Sequence, residues 1–193
     1  MVLDFGGQYK ELIARSVRGL KVHSVILPGS TSAEEVRAIA PIGIILTGGP
    51  FSVYAEDAPK ADPELFGLGI PVLGICYGMQ MMSAALGGEV LPCKVSEYGT
   101  TEVAVTASCV LFDGVKSPMR ALMSHTDYVA KTPKGFRVTA VTENCPAAAI
   151  AFDERKLYGV QFHPEVERTH GGKRLLKNFL YKVCGAVGDY TMD

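Results

Sequence analysis

Pro71-Val72-Leu73-Gly74-Ile75-Cys76-Tyr77-Gly78 leads from an apolar run through a cysteine into a stretch that stays helical in character to Leu86. A short apolar run bounded by small residues reads as a strand buried on both faces, and Gly78 to Leu86 reads as the helix that follows it. The two leave no room for a loop. The residue between them must therefore take a sharp, strained turn of the kind that glycine neighbours permit, with its side chain projecting at the carboxyl edge of the sheet. That residue is Cys76. The helix amino terminus just after it offers unpaired N–H groups and partial positive charge, a setting that favours a nucleophilic sulfur.

Upstream of this elbow, strand and helix signals alternate. Val2 to Phe5 is apolar, Leu12, Ile13, Val17 and Leu20 fall at helical spacing, and Ser24 to Leu27 is extended again. Ser32 with Glu35 forms a capping box that opens a helix to Ile39, Gly43 to Leu46 is the next strand, and Asp62-Pro63 starts another helix. This rhythm predicts an α/β fold with a mostly parallel central sheet flanked by helices. After Gly87-Gly88 the pattern turns β-rich: Glu102 to Thr106, Ala121 to Met123, Arg137 to Thr142, Ala147 to Phe152 and Leu157 to Gln161, part of which forms an antiparallel β extension. Lys173 to Val183 closes the fold as a helix with a core-facing stripe.

The chain has 193 residues, enough for one domain with a large core. Nineteen Lys plus Arg against twenty Asp plus Glu give a net charge of −1, which offers nothing to nucleic acid. The five cysteines are odd in number and form no CxxC pair, no leader is seen at the start, and every apolar run is interrupted well short of a membrane span. A reduced, cytoplasmic protein without membrane contact is expected. Cys93, Cys109, Cys145 and Cys184 have no basic or glycine-framed setting and are assigned to packing, as are Met79, Met81 and Met82. No His, Cys and carboxylate group has metal-ligand spacing, so no metal is expected.

A cysteine that attacks a carbonyl needs a base, a group that orients the base, and donors for the developing oxyanion. Gln161-Phe162-His163-Pro164-Glu165 follows a strand signal, and if that strand stays extended His163 and Glu165 share one face. His125, in Ser124-His125-Thr126-Asp127, is the rival base, but its carboxylate is read as lying in a loop. The oxyanion donors are expected at the N–H of Tyr77 and in the turn Thr47-Gly48-Gly49-Pro50. That turn lacks both GxxxxGK[ST] and GxGxxG, which makes a phosphate cradle the weaker reading.

The order Gly48-Gly49-Pro50, Gly74-Ile75-Cys76-Tyr77-Gly78-Met79-Gln80 and His163-Pro164-Glu165 resembles the class I (triad) glutamine amidotransferases, a flavodoxin-like family. Leu3 to Tyr9, Met123 to Asp127 and Gly159 to Val166 narrow the likeness to the glutaminase domains of GMP synthetases. The resemblance implies that Cys76 attacks the side-chain amide of L-glutamine, that His163 serves as acid and base with Glu165 orienting it, and that Gly49 belongs to the oxyanion hole. It also implies that Gln80, Ser124, His125 and Asp127 hold the substrate, with Asp127 meeting its ammonium group. Position 126 is threonine where the family commonly has glycine, and Tyr190 stands where relatives usually carry tryptophan.

By the same resemblance, residues 1–185 form the glutaminase domain, and residues 186–193, around Gly188-Asp189-Tyr190-Thr191-Met192, begin a linker toward a synthetase half. The family's ATP pyrophosphatase signature, Ser-Gly-Gly-Val-Asp-Ser, is absent. The expectation is thus no cofactor on this chain, with ATP and Mg confined to a synthetase domain or subunit that uses the ammonia to aminate XMP. Isolated glutaminase activity is expected to be weak. A cysteine peptidase with the same elbow is the enzymatic alternative, and a regulatory module that kept only the fold is the non-catalytic one.

Overall fold

The computed structural model describes residues 1–192; Asp193, the end of the expected linker, lies outside the described residues. Nine strands, β1 (Val2–Asp4), β2 (Ile26–Pro28), β3 (Ile44–Leu46), β4 (Val72–Ile75), β5 (Glu89–Val105), β6 (Met119–Lys131), β7 (Arg137–Val141), β8 (Ala149–Phe152) and β9 (Leu157–Val160), form one sheet in the order β2-β1-β3-β4-β9-β8-β7-β5-β6. The first five in that order pair in parallel, and from β9 onward every pairing is antiparallel. The sheet is therefore a parallel block with an antiparallel arm, the division the sequence predicts.

Helices α1 (Lys10–Gly19), α2 (Ala33–Ile39), α3 (Tyr77–Ala85) and α4 (Gly172–Lys177) cover the block. Alternation along the strands sorts the core into two layers: Val2, Ile45, Leu73 and Ile75 pack with α1 and α4, while Leu3, Ile44, Leu46 and Val72 pack with α2 and α3. The Ser32–Glu35 capping box is present in both directions at the start of α2. Asp62 caps as expected, but the turn it opens, Pro63–Gly67, is a five-residue 3₁₀ helix rather than an α-helix. The closing helix widens after Lys177: residues 178–183 wind with i→i+5 bonds, among them Cys184 N–H to the Phe179 carbonyl at 2.9 Å. Residues 185–192 have no regular structure, and the Tyr190 N–H donates to the Lys21 carbonyl just past α1 at 3.1 Å.

The strand order 2-1-3-4 followed by β9 is that of a doubly wound sheet, whose ligands bind beyond the carboxyl ends of the strands. A cavity of about 420 Å³ opens there, lined by Gly6 to Lys10 after β1, Thr47 to Ser52 after β3, Cys76 after β4, and Ser124 to Asp127 of β6. No helix among the described residues is long and apolar enough to cross a membrane.

Candidate active site

The elbow is built as the residue pattern requires. Cys76 is at once the end of the sheet and the cap of α3: its N–H donates to the Val160 carbonyl at 2.8 Å, and its carbonyl accepts from the Gln80 N–H at 3.1 Å. Serving both elements forces φ 52° and ψ −110°, a backbone state that a non-glycine residue holds only when its surroundings over-determine it. The flanking glycines allow the close packing: a methyl at Gly74 would come 2.7 Å from the Met79 nitrogen, and one at Gly78 would come 2.5 Å from the Leu46 carbonyl oxygen. Cys76 is buried but faces the cavity, its thiol 3.6 Å from the Ser124 carbonyl and its sulfur accepting from the Gln161 amide at 3.5 Å.

His163 and Glu165 come together, with Nδ1 and Oε1 2.8 Å apart and both side chains buried. The expected route is corrected. β9 stops at Val160, and residues 161–165 bend rather than remain extended, so a turn and not strand alternation makes the pair. The turn is pinned to β6: the His163 N–H donates to the Leu122 carbonyl at 3.1 Å, while the Thr169 hydroxyl donates to the His163 carbonyl at 2.6 Å and accepts from the Leu122 N–H at 3.0 Å. Among the described residues the second oxygen of Glu165 has no hydrogen-bond partner, and the carboxylate's one side-chain partner is the imidazole. Burial by itself would lower the pKa of His163, but the adjoining Cys76 sulfur and the Glu165 carboxylate outweigh it and push the imidazole up to about 10. The Tyr9 ring packs against it edge-on, with ring centroids 5.3 Å apart and planes at 67°.

Gly48 packs against both Cys76 and the His163 ring. A methyl there would lie 3.2 Å from His163 Cε1 and 3.5 Å from Cys76 Cβ. Thr47 fixes this turn, its hydroxyl accepting from the Phe5 N–H and donating to the Gly48 carbonyl, both at 2.9 Å. In a trans peptide the Gly49 N–H points opposite that held carbonyl. The Tyr77 N–H, in the first turn of α3, has no intrahelical acceptor. The Tyr77 ring is buried, and its hydroxyl donates to the Pro59 carbonyl.

The segment Ser124 to Asp127 lies inside β6 and not in a loop, which corrects the sequence reading. Its polar residues alternate: Ser124 and Thr126 are exposed, His125 and Asp127 buried. Threonine at 126 suits an extended strand, whatever glycine does elsewhere. Asp127 sits on the cavity wall with its two carboxylate oxygens each 2.6 Å from a hydroxyl, Ser52 on Oδ2 and Tyr54 on Oδ1. Among the described residues no Lys, Arg or His side chain pairs with it. Gln80 is a strut: its amide nitrogen donates to the Asp127 carbonyl at 2.9 Å and to Gln161 Oε1 at 3.1 Å. His125 is likewise occupied on both ring nitrogens, with the Asp127 carbonyl at 2.7 Å and Glu97 Oε1 at 2.9 Å.

Glu97, His125 and Cys145 also bring three possible metal-ligand atoms within 4.8 Å of one another, a cluster that separations of 28 and 20 residues hide from any spacing rule. Glu97 is satisfied by His125 and by the Thr142 hydroxyl at 2.8 Å, and burial pushes the Cys145 thiol up to about 12, which makes it a poor ligand. Sequence reasoning missed Gln161 as the sulfur's donor and Ser52 and Tyr54 as partners of Asp127. Gln161, two residues before His163, was a usable signal; the other two had none.

Residues 1–183 match the family model for class-I glutamine amidotransferases. Over all 193 residues the chain is 54% identical to a glutamine-hydrolysing GMP synthase of Caldanaerobacter subterraneus and 55% identical to one of Clostridium botulinum. It spans 38% of the length of each of these relatives. A crystallised protein of Thermoplasma acidophilum named for the GMP synthase A subunit superposes with a TM-score of 0.83 at 30% identity, over 95% of this chain and 92% of that one. The strained cysteine elbow, the His–Glu turn and these likenesses agree, and the chain belongs to the class-I glutamine amidotransferase family.

Proposed function

We propose that the chain hydrolyses L-glutamine to glutamate and ammonia through a thioester on Cys76, and that the ammonia serves the amination of XMP to GMP by a synthetase domain or subunit. The observation that carries this reading is the convergence on one cavity of the Cys76 elbow, the His163–Glu165 pair and the buried Asp127 carboxylate. In this scheme the sulfur attacks the side-chain amide carbon, and the oxyanion is met by the N–H groups of Tyr77 and Gly49. His163, kept protonated between Cys76 and Glu165, gives its proton to the departing nitrogen. It then takes a proton from the water that opens the thioester, which releases glutamate and restores the sulfur. ATP-dependent chemistry on XMP would belong to the synthetase part, where the named relatives extend beyond the length matched by this chain.

Asp127 favours an amino-acid substrate over a peptide. A buried carboxylate without a cationic partner is costly unless a ligand supplies the charge, and the free α-ammonium of glutamine does so, whereas an internal peptide residue has none. Gln80, Ser124 and His125 would then act as a frame, Ser124 through its backbone carbonyl near the sulfur and the other two by holding Asp127. The test is glutamate release by the purified chain and by Cys76→Ala. The variant is expected to lose about a thousandfold or more, the scale seen when a nucleophile is removed from a working triad. Equal rates would remove Cys76 from the reaction.

A further inference from the structure

Among the described residues no cationic side chain pairs with Asp127, and the two groups that hydrogen-bond its carboxylate are neutral hydroxyls from the segment that leaves the Gly48-Gly49 turn. Tyr54 is the more telling of the two. The residue is 55% exposed, yet its hydroxyl turns back to one that is only 4% exposed. Each carboxylate oxygen has two lone pairs, and one on each is taken by a hydroxyl at 2.6 Å. That fixes the plane of the carboxylate and leaves the other pair of acceptor sites free. A Lys or Arg in either position would hold the group equally well but would cancel the charge that a cationic ligand needs.

We infer that Ser52 and Tyr54 are specificity-determining positioning residues, which aim the free lone pairs of Asp127 at the α-ammonium group of the substrate. The inference rests on the glutamine reading above and adds the residues that make the amino-acid end recognisable. It also means that the loop carrying the oxyanion turn is the loop that orients the ammonium site.

The test uses covalent capture of Cys76 by two chloromethyl ketones of glutamine length, one with the α-amino group and one without, chloride leaving as the sulfur–carbon bond forms. The ratio of the two second-order rates, measured on the same preparation, reports recognition of the amino group independently of sulfur reactivity. The wild-type chain is expected to favour the amino compound, and the double variant Ser52→Ala/Tyr54→Phe to lose about tenfold of that preference, equivalent to about 1.4 kcal/mol. Tyr54→Phe alone, which keeps the ring and removes only the hydroxyl, is expected to lose part of it. Variants that retain the full wild-type ratio would overturn the inference and leave the glutamine reading intact. A wild-type chain that ignores the amino group would overturn both.

Discussion

The parallel block and the antiparallel arm hold the site in different ways. Strands of three or four residues in the block end together at one edge, and what they present there is mostly backbone: the Cys76 elbow after β4 and the glycine turn after β3. The arm instead runs strands of 17 and 13 residues past the same cavity, and its contribution comes from mid-strand, through Asp127, His125 and the Leu122 backbone. Strand ends can bend toward a reacting atom, while the mid-strand residues of β6 are fixed by its ladder to β5 and by alternation. Bond-making is thus proposed for the block and recognition for the arm.

The contrast can be broken most directly at Asp127. Asp127→Asn is expected to reduce kcat/KM for glutamine about 100-fold, the scale of a lost charged hydrogen bond, mainly through KM, while alkylation of Cys76 by iodoacetamide continues. A fall confined to kcat would move Asp127 into the bond-making half. In the block, Gly48→Ala sets a methyl beside Cys76 and against His163, whose ring must give by a few tenths of an ångström; kcat is expected to drop roughly 10- to 30-fold with KM little changed.

A third test reads the His–Glu turn through stability. The folded value near 10 lies above the 6.5 of a free imidazole, so the charged form stabilises the fold fully below about pH 6.5, and that contribution is lost as pH rises toward 10. Urea unfolding of the wild type against His163→Gln is expected to show a difference that shrinks with rising pH by on the order of 1 kcal/mol per unit across that window. A constant difference would mean that the imidazole is not held charged. The smallest effect is expected at Thr169→Val, which cuts the tie between the His163 turn and β6: about 1 kcal/mol of stability and a few-fold loss of kcat, measured by unfolding and by glutamate release.

Legibility in the sequence follows the same division. β3, β4 and β9 lie in runs of buried residues, and such runs stand out against the glycines and charges around them. β5 was hidden from Glu89 to Thr101 because its residues are largely exposed, with Pro92 and Gly99 interrupting, so no core-facing period exists to be read. The Ser124 to Asp127 stretch is polar on both faces and looked like a loop for that reason. His163 and Glu165 were legible as a pair through their chemistry and not through their geometry, since the turn that joins them depends on Thr169 and Leu122. Ser52 and Tyr54 find their partner 75 and 73 residues away, a distance at which local pattern carries no information.

β6 meets the site at three levels, gripping the His163 turn at Leu122, touching the Cys76 thiol at Ser124 and presenting Asp127 to the cavity. The first two contacts use β6 backbone and the third a side chain; because side chains change face at every step, one residue inserted or deleted between 124 and 127 would turn Asp127 away from the cavity while the other two contacts stay in place. Tolerance to changes in chain length is therefore expected where β5 already slips its register, between Pro92 and Glu97, and not across from it. The arm's side of the site is encoded as the parity of one strand, an inheritance that point substitutions can erode but only an indel can invert.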